Sequence, residues 1–329
     1  MKTVAFFNNK GGVGKTSLVY HLAWMFADRG VPVLAVDFDP QANLTSMFLD
    51  ESRLISLWDD GEAATVYDSL QPLMNRTGDI VKPRLQLITQ SLALVAGNLA
   101  LSRFEDLLSE NWPKCLDGQE AAFRVITAFY RIIVEAVKEF PAQIIFIDVG
   151  PNLGAINRSA IIAADQVVLP LAPDLFSLQG MKNLGPTLQE WRKGWQKRLI
   201  EMPKGVTLPL PTGNMQPSGY VIMQHGIRDS SPVKAYQRWM DRIPDVYRKA
   251  VLEESAGQLP QVVNDPYNLA LLKHYRSLMP MAMEARKPMF FLKPADGAIG
   301  AHSEAVRKCY DDFRNLAKRI AGNAGIALS

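Results

Sequence analysis

Residues 10–17, KGGVGKTS, constrain this chain more than any other stretch. With Asn9 standing where the usual G-x-x-x-x-G-K-[ST] pattern has its first glycine, they form a phosphate-binding loop. Such a loop works only between a strand and a helix, where backbone N–H groups and the helix N-terminus converge on one anion. TVAFFN (3–8) supplies the strand. KTSLVYHLAWMFADRG (15–30) supplies the helix, with Leu18, Leu22, Met25 and Phe26 on one face and Gly30 at its end. Gly11, Gly12 and Gly14 let the backbone wrap closely. Lys15 is expected to reach the β- and γ-phosphates of ATP, and the Thr16 hydroxyl to bind Mg²⁺. Val13 and Ser17 complete the loop's own nucleotide-binding set.

The short β-branched runs at 31–38, 85–90, 143–149, 166–172, 219–224 and 288–292 read as further strands. Their near-continuous hydrophobicity suits a mostly parallel, doubly wound α/β sheet with helices on both faces. The expected organisation is a single domain over 1–329 with insert-like stretches near 50–80, acidic and loop-rich, and 200–218, rich in Pro and Gly. In LGPTLQEWRKGWQKRL (184–199), Leu184, Leu188, Trp191, Trp195 and Leu199 form one stripe that reads as core, leaving Arg192, Lys193, Lys197 and Arg198 for an outer surface.

Three aspartates stand at the ends of predicted strands. Asp37 and Asp39 flank Phe38, and alternation sends them to opposite faces with different jobs. Asp148 ends IIFID and is expected to hold Mg²⁺ through water.

KGGVGKTS and VDFDPQAN (36–43) together resemble the deviant Walker A and second motifs of the ParA/MinD family of ATPases, and the spacing from Lys15 to Asp39 is similar. The resemblance covers nearly the whole chain and implies a P-loop fold and an ATP-sandwich homodimer. In that dimer Lys10, the signature lysine, crosses to the partner's phosphates. It also implies that Asp39 activates the attacking water while Asp37 supports the Mg²⁺ shell, and Asp39 too is expected among the residues around the metal. Gln224, at the end of GYVIMQHG, falls at the family-like adenine position. Where the family has DTPP or a close variant, this chain has DVGP (148–151), with Val149 and Gly150 departing. The segment 167–184 and the C-terminal layout of 283–320 also resemble ParA-type proteins. In the last helix Val306, Cys309, Tyr310, Phe313, Leu316 and Ile320 are its expected buried face.

Charge separates along the chain. Residues 1–150 hold 13 Lys/Arg against 18 Asp/Glu, and residues 151–329 hold 23 against 15. A basic second half can attract a polyanion, and the resemblance implies non-specific DNA and a stimulating adaptor of ParB-like role as partners. MinD-type relatives end in a basic amphipathic helix for a membrane surface; AGNAGIALS is uncharged and small, so membrane attachment is not expected. No leader is visible in the opening MKTVAFF, and Cys115 and Cys309 suggest reduced thiols, so a cytoplasmic protein is expected, and the resemblance implies that it is nucleoid-associated. Alternatives are a MinD-like membrane regulator, a P-loop metabolic enzyme of the dethiobiotin synthetase type and a nucleotide-gated scaffold with little turnover.

Overall fold

The computed structural model describes residues 1–329 except 60–62, 226, 229–230, 233, 256, 258–259, 276 and 329, and the backbone alone of 224–225, 227–228, 231–232 and 234–235. Ten strands occur among the described residues: β1 (Lys2–Phe6), β2 (Val33–Asp37), β3 (Gln86–Thr89), β4 (Leu92–Val95), β5 (Ile144–Asp148), β6 (Gln166–Leu171), β7 (Gln216–His225), the small ribbon β8 (Ile227–Arg228) and β9 (Ser231–Pro232), and β10 (Asn268–Lys273). Eight of them build one sheet in the order β10-β7-β6-β1-β5-β2-β4-β3, parallel except for the β3–β4 pair. The sheet is therefore mostly parallel and doubly wound.

Alternation along the strands divides the core in two. Val4, Phe6, Val33, Ala35 and Phe146 face helix α1 (Lys15–Asp28) and the last helix, Ala301–Ala324. Ala5, Phe7, Leu34, Val36 and Ile145 face the helices Phe104–Lys114, Ala128–Glu139, Ala155–Ile162 and Leu175–Ile200. The apolar stripes read from the sequence lie inside. Leu18, Leu22, Met25 and Phe26 are fully buried, as are Cys309 and Leu316, while Val306 and Tyr310 pack at the margin.

Several details depart from the pattern reading. The run 288–292 is not a strand but a single 3₁₀ turn, Met289–Phe291. Prolines at 288 and 294 bound it too tightly for a strand, and β10, a run the sequence pattern hides, already closes that end of the sheet. Phe290 instead packs against His21 and Phe313, between α1 and the last helix. The stretch 50–80 is not loop-rich: it holds the helices Glu51–Trp58 and Val66–Met74. Asp50 caps the first and a Thr65–Asp68 capping box starts the second. The Pro/Gly-rich stretch wraps the helix Leu175–Ile200, where Trp195 Nε1 donates to the Pro211 carbonyl at 3.0 Å, and β7 begins at Gln216. Arg198 is no surface cation. It is buried, stacked 3.7 Å over Trp112 and donating to the Trp112 and Gly194 carbonyls.

Candidate nucleotide site at the carboxyl edge of the sheet

Strand register brings the predicted residues together. Asp148 lies opposite Phe6 of β1 on one side and opposite Asp37 of β2 on the other. The phosphate loop, the Asp39 turn and the DVGP turn therefore leave three adjacent strands at one edge, where open α/β sheets bind ligands. Gly12 (φ 72°) and Gly14 (φ 88°) hold left-handed backbone, which only glycine adopts freely. Gly14 is also the N-cap of α1, so the loop runs directly into a helix N-terminus with no side-chain cap between its amides and an anion.

The two lysines differ in setting. Lys15 is 6% exposed, with its ammonium turned back toward the Lys10 carbonyl at 3.4 Å. Burial pulls its pKa down, while the Asp148 and Asp39 charges pull the other way. Lys10 sits at the rim, its side chain about a third exposed and paired with Asp174.

The three carboxylates have separate surroundings. Asp37 is spent on the fold: Oδ2 accepts from the Thr45 amide (2.8 Å) and hydroxyl (2.7 Å), and Oδ1 from the Asp39 amide (3.2 Å). Thr45 in turn accepts from the Gly97 amide at 2.7 Å, and a Cβ on Gly97 would come 2.9 Å from the Asp37 carboxyl carbon. Burial raises Asp37 to about 7 against the Thr45 hydrogen bonds. Asp39, just beyond β2, accepts from the Gln41 amide at 3.0 Å and leans on Gly150.

Asp148 is the exception. It is fully buried, yet neither carboxylate oxygen has a hydrogen-bond partner among the described residues. Burial pushes its carboxyl well up, and the Asp37 and Asp39 charges add to this, with Thr16 and Lys15 pulling the other way. An orphaned buried carboxylate aimed at a phosphate loop fits a cation. Among the described residues no group of three or more His, Cys, Asp or Glu could hold a metal by itself. The unpartnered Asp148 beside Thr16 fits Mg²⁺, which keeps waters and substrate phosphates among its ligands.

Beside the loop lies an apolar recess of ≈ 270 Å³, lined by Gly12, Gly14, Met223, His274, Tyr275 and Met279. Gln224 is the last residue but one of β7, next to Met223, but its side chain lies outside the described residues.

The family model described as an AAA domain matches residues 1–201, the portion that contains the phosphate loop, both lysines, the three aspartates and Asp174. The chain belongs to the ParA/MinD family of P-loop ATPases. It is 31% identical over 201 residues to the chromosome-partitioning ATPase Soj of Thermus thermophilus, covering 60% of this chain and 66% of that one. It is 30% identical over 200 residues to the protein IncC of Escherichia coli, covering 59% and 47%. The chain thus spans about half the length of the curated relatives it matches. Among solved structures, a Corynebacterium diphtheriae protein superposes with a TM-score of 0.71 at 25% identity over 98% of both chains. McdA of Cyanothece in its ATP complex superposes at 0.64 over 99% of this chain and 97% of that one; at 16% identity it speaks for the fold alone.

Within this ParA/MinD-family chain the DVGP departure has a local explanation. Val149 is fully buried core, and a Cβ on Gly150 would approach Asp39 Oδ1 to 3.2 Å. Asn157 then pins the turn, accepting from the Gly150 amide at 3.2 Å and donating to the Gly150 and Asn152 carbonyls. Sequence reasoning missed Asp174, Thr45, Gly97 and Asn157, together with the β10 side of the recess. Each acts through a partner 7 to 164 positions away, which no local spacing announces.

Proposed function

We propose that this chain is a ParA-like ATPase that pairs face to face on ATP, binds DNA without sequence preference and hydrolyses ATP when an adaptor protein stimulates it. The cycle would position a DNA or protein cargo over the nucleoid. The observation that carries the reading is the division between the lysines. Lys15 is buried inside its own loop, whereas Lys10 stands at the rim with its side chain about a third exposed. A second cation at that rim is of use to a phosphate outside its own loop.

ATP with Mg²⁺, when bound, supplies the transferable phosphoryl group and a divalent charge to neutralise it. The chain's own residues do the rest. The loop amides of residues 11–16 and Lys15 bind the phosphate oxygens, and Thr16 and Asp148 are the groups that would hold the metal with its waters. Asp39 orients the attacking water and accepts its proton. Asp37, committed to Thr45, keeps the Asp39 turn in place. Lys10 of one subunit would lend the partner's phosphates a fixed positive charge whose attraction grows as negative charge shifts between the phosphate oxygens, a gain comparable to an arginine finger. The recess beside Gly14 suits a flat heteroaromatic base. Exposed Lys193, Lys197 and Lys318 in the basic second half suit phosphate backbone contacts.

The deciding measurement is solution mass. An Asp39→Ala variant with excess ATP and Mg²⁺ is expected to run as a dimer in sizing with light scattering, and Lys10→Ala in that background as a monomer that still binds nucleotide. Single subunits from the Asp39→Ala chain at high concentration would refute the reading. Activation by a small metabolite in place of DNA and an adaptor would point to a metabolic P-loop enzyme.

A further inference from the structure

We infer that Asp174 is a positioning residue for Lys10. Within one subunit it holds the signature ammonium at the rim of the phosphate loop, and it must release it before Lys10 can serve a partner, so the ion pair is a brake on pairing. The inference rests on the sandwich reading above.

The carboxylate divides its work between its oxygens. Oδ1 accepts from the Ser177 amide at 2.8 Å and caps the helix Leu175–Ile200. Oδ2 takes the Lys10 ammonium. Burial pushes the Asp174 carboxyl up, but Lys10 and the Ser177 amide outweigh it and hold the group below the usual carboxylate range.

Both ends of the pair are mounted on neighbouring strands. β1 and β6 run side by side, with Phe6 opposite Val168. Beyond β1, the Lys10 amide donates to Asn8 Oδ1 at 2.9 Å, and Asn8 Nδ2 donates to the Pro170 carbonyl of β6 at 2.6 Å. The Phe176 ring, 73% exposed, lies 5.6 Å from the ammonium, within cation–π range. Lys10 is thus held at three points by its own chain.

The hold is firm enough to matter and weak enough to exchange. The two side chains are 32% and 33% exposed, and a pair so placed shifts an equilibrium by roughly two- to fivefold. A sandwich needs both subunits to let go, so the effects multiply to roughly four- to twenty-five-fold in the dimer dissociation constant.

Asp174→Asn removes the charge while keeping a side-chain acceptor for the Ser177 amide, so a role confined to capping would leave both readouts below unmoved. In the Asp39→Ala background with ATP and Mg²⁺, light scattering over a dilution series should show Asp174→Asn pairing at a dissociation constant roughly four- to twenty-five-fold lower. Asp174→Glu should return it toward the parent, and Lys10→Ala should cancel the gain. A dissociation constant unchanged or raised in Asp174→Asn overturns the inference.

A second readout needs no dimer. Amine acylation of Lys10 in the nucleotide-free chain, followed by mass spectrometry with exposed Lys197 as internal reference, should be roughly two- to fivefold faster in Asp174→Asn. Equal rates overturn the brake even if subunits pair. Faster labelling with a parent that never pairs leaves the tether standing and sinks the sandwich instead.

Discussion

Asp148 concentrates the chemistry of the site in one residue: a fully buried carboxylate with two unpartnered oxygens. Such a group costs the nucleotide-free fold stability, because its charged form is stripped of water and Thr16 and Lys15 compensate only in part. The sign follows from its raised pKa. Above the ordinary carboxylate range the unfolded chain is ionised while the folded chain still holds the proton, so the folded state binds more protons and stability falls as pH rises. Asp37, raised to about 7, contributes in the same direction between the ordinary value and about pH 7. Asp148→Asn is therefore expected to stabilise the nucleotide-free chain by about 1–3 kcal/mol at pH 8 and by little near pH 4, and, under the proposed function, to abolish metal-dependent turnover. Urea unfolding at the two pH values checks this, and a variant less stable than the parent at pH 8 would contradict it. His21, beneath the loop on α1, shows how a buried titratable group is accommodated when it has partners. Burial lowers it to about 4, and the neutral ring bridges the Ser17 carbonyl at 2.7 Å and the Met289 amide at 3.1 Å.

At the scale of elements, the helix Leu175–Ile200 is the piece on which most depends. It begins at Asp174, the partner of Lys10, and buries Leu184, Leu188, Trp191 and Trp195. Gly185–Pro186 lies within it, and there the chain approaches the turn Tyr247–Leu252 so closely that a Cβ on Gly185 would sit 2.0 Å from the Ala250 carbonyl oxygen. Backbone cannot yield as a side chain can, so Gly185→Ala is expected to destabilise the fold by about 3 kcal/mol despite alanine's better helix propensity. Thermal unfolding of the variant checks this; a neutral or stabilising effect would mean the contact is looser than described. The stripe at 184–199 was legible because helical periodicity repeats over four turns. β4 and β10 were not. LALV and NLALLK are too short to separate strand from helix by periodicity, and the β3–β4 hairpin turns through Gln90–Ser91 without the Gly or Asn that marks such turns.

At the scale of the whole molecule, the acidic first half carries the phosphate loop and the basic second half carries exposed cations on two long helices, at Lys193 and Lys197 and at Arg307, Lys308 and Lys318. Among the described residues no helix is long and apolar enough to cross a membrane. If the proposed function holds, two paired copies present twice the cations of one. Affinity of the ATP-bound Asp39→Ala chain for a random-sequence duplex should then fall by at least roughly tenfold between about 50 and 200 mM salt, as expected when several phosphates are neutralised together. Fluorescence anisotropy against salt measures the slope; a flat line would remove DNA from the cycle.

The sequence by itself determined the parts that are local. A glycine-rich loop between strand and helix, with carboxylates at strand ends, requires only neighbours within a few residues, and these stated the parallel fold and the family and nominated the residues that the sheet then gathers at one edge. Tertiary structure alone decided which carboxylate is left without partners and which is committed to Thr45, that position 150 lies close against Asp39, and that Lys10 is held by Asp174. These depend on strands adjacent in the sheet but distant in the chain, and on burial, which sets the cost of an unpaired charge.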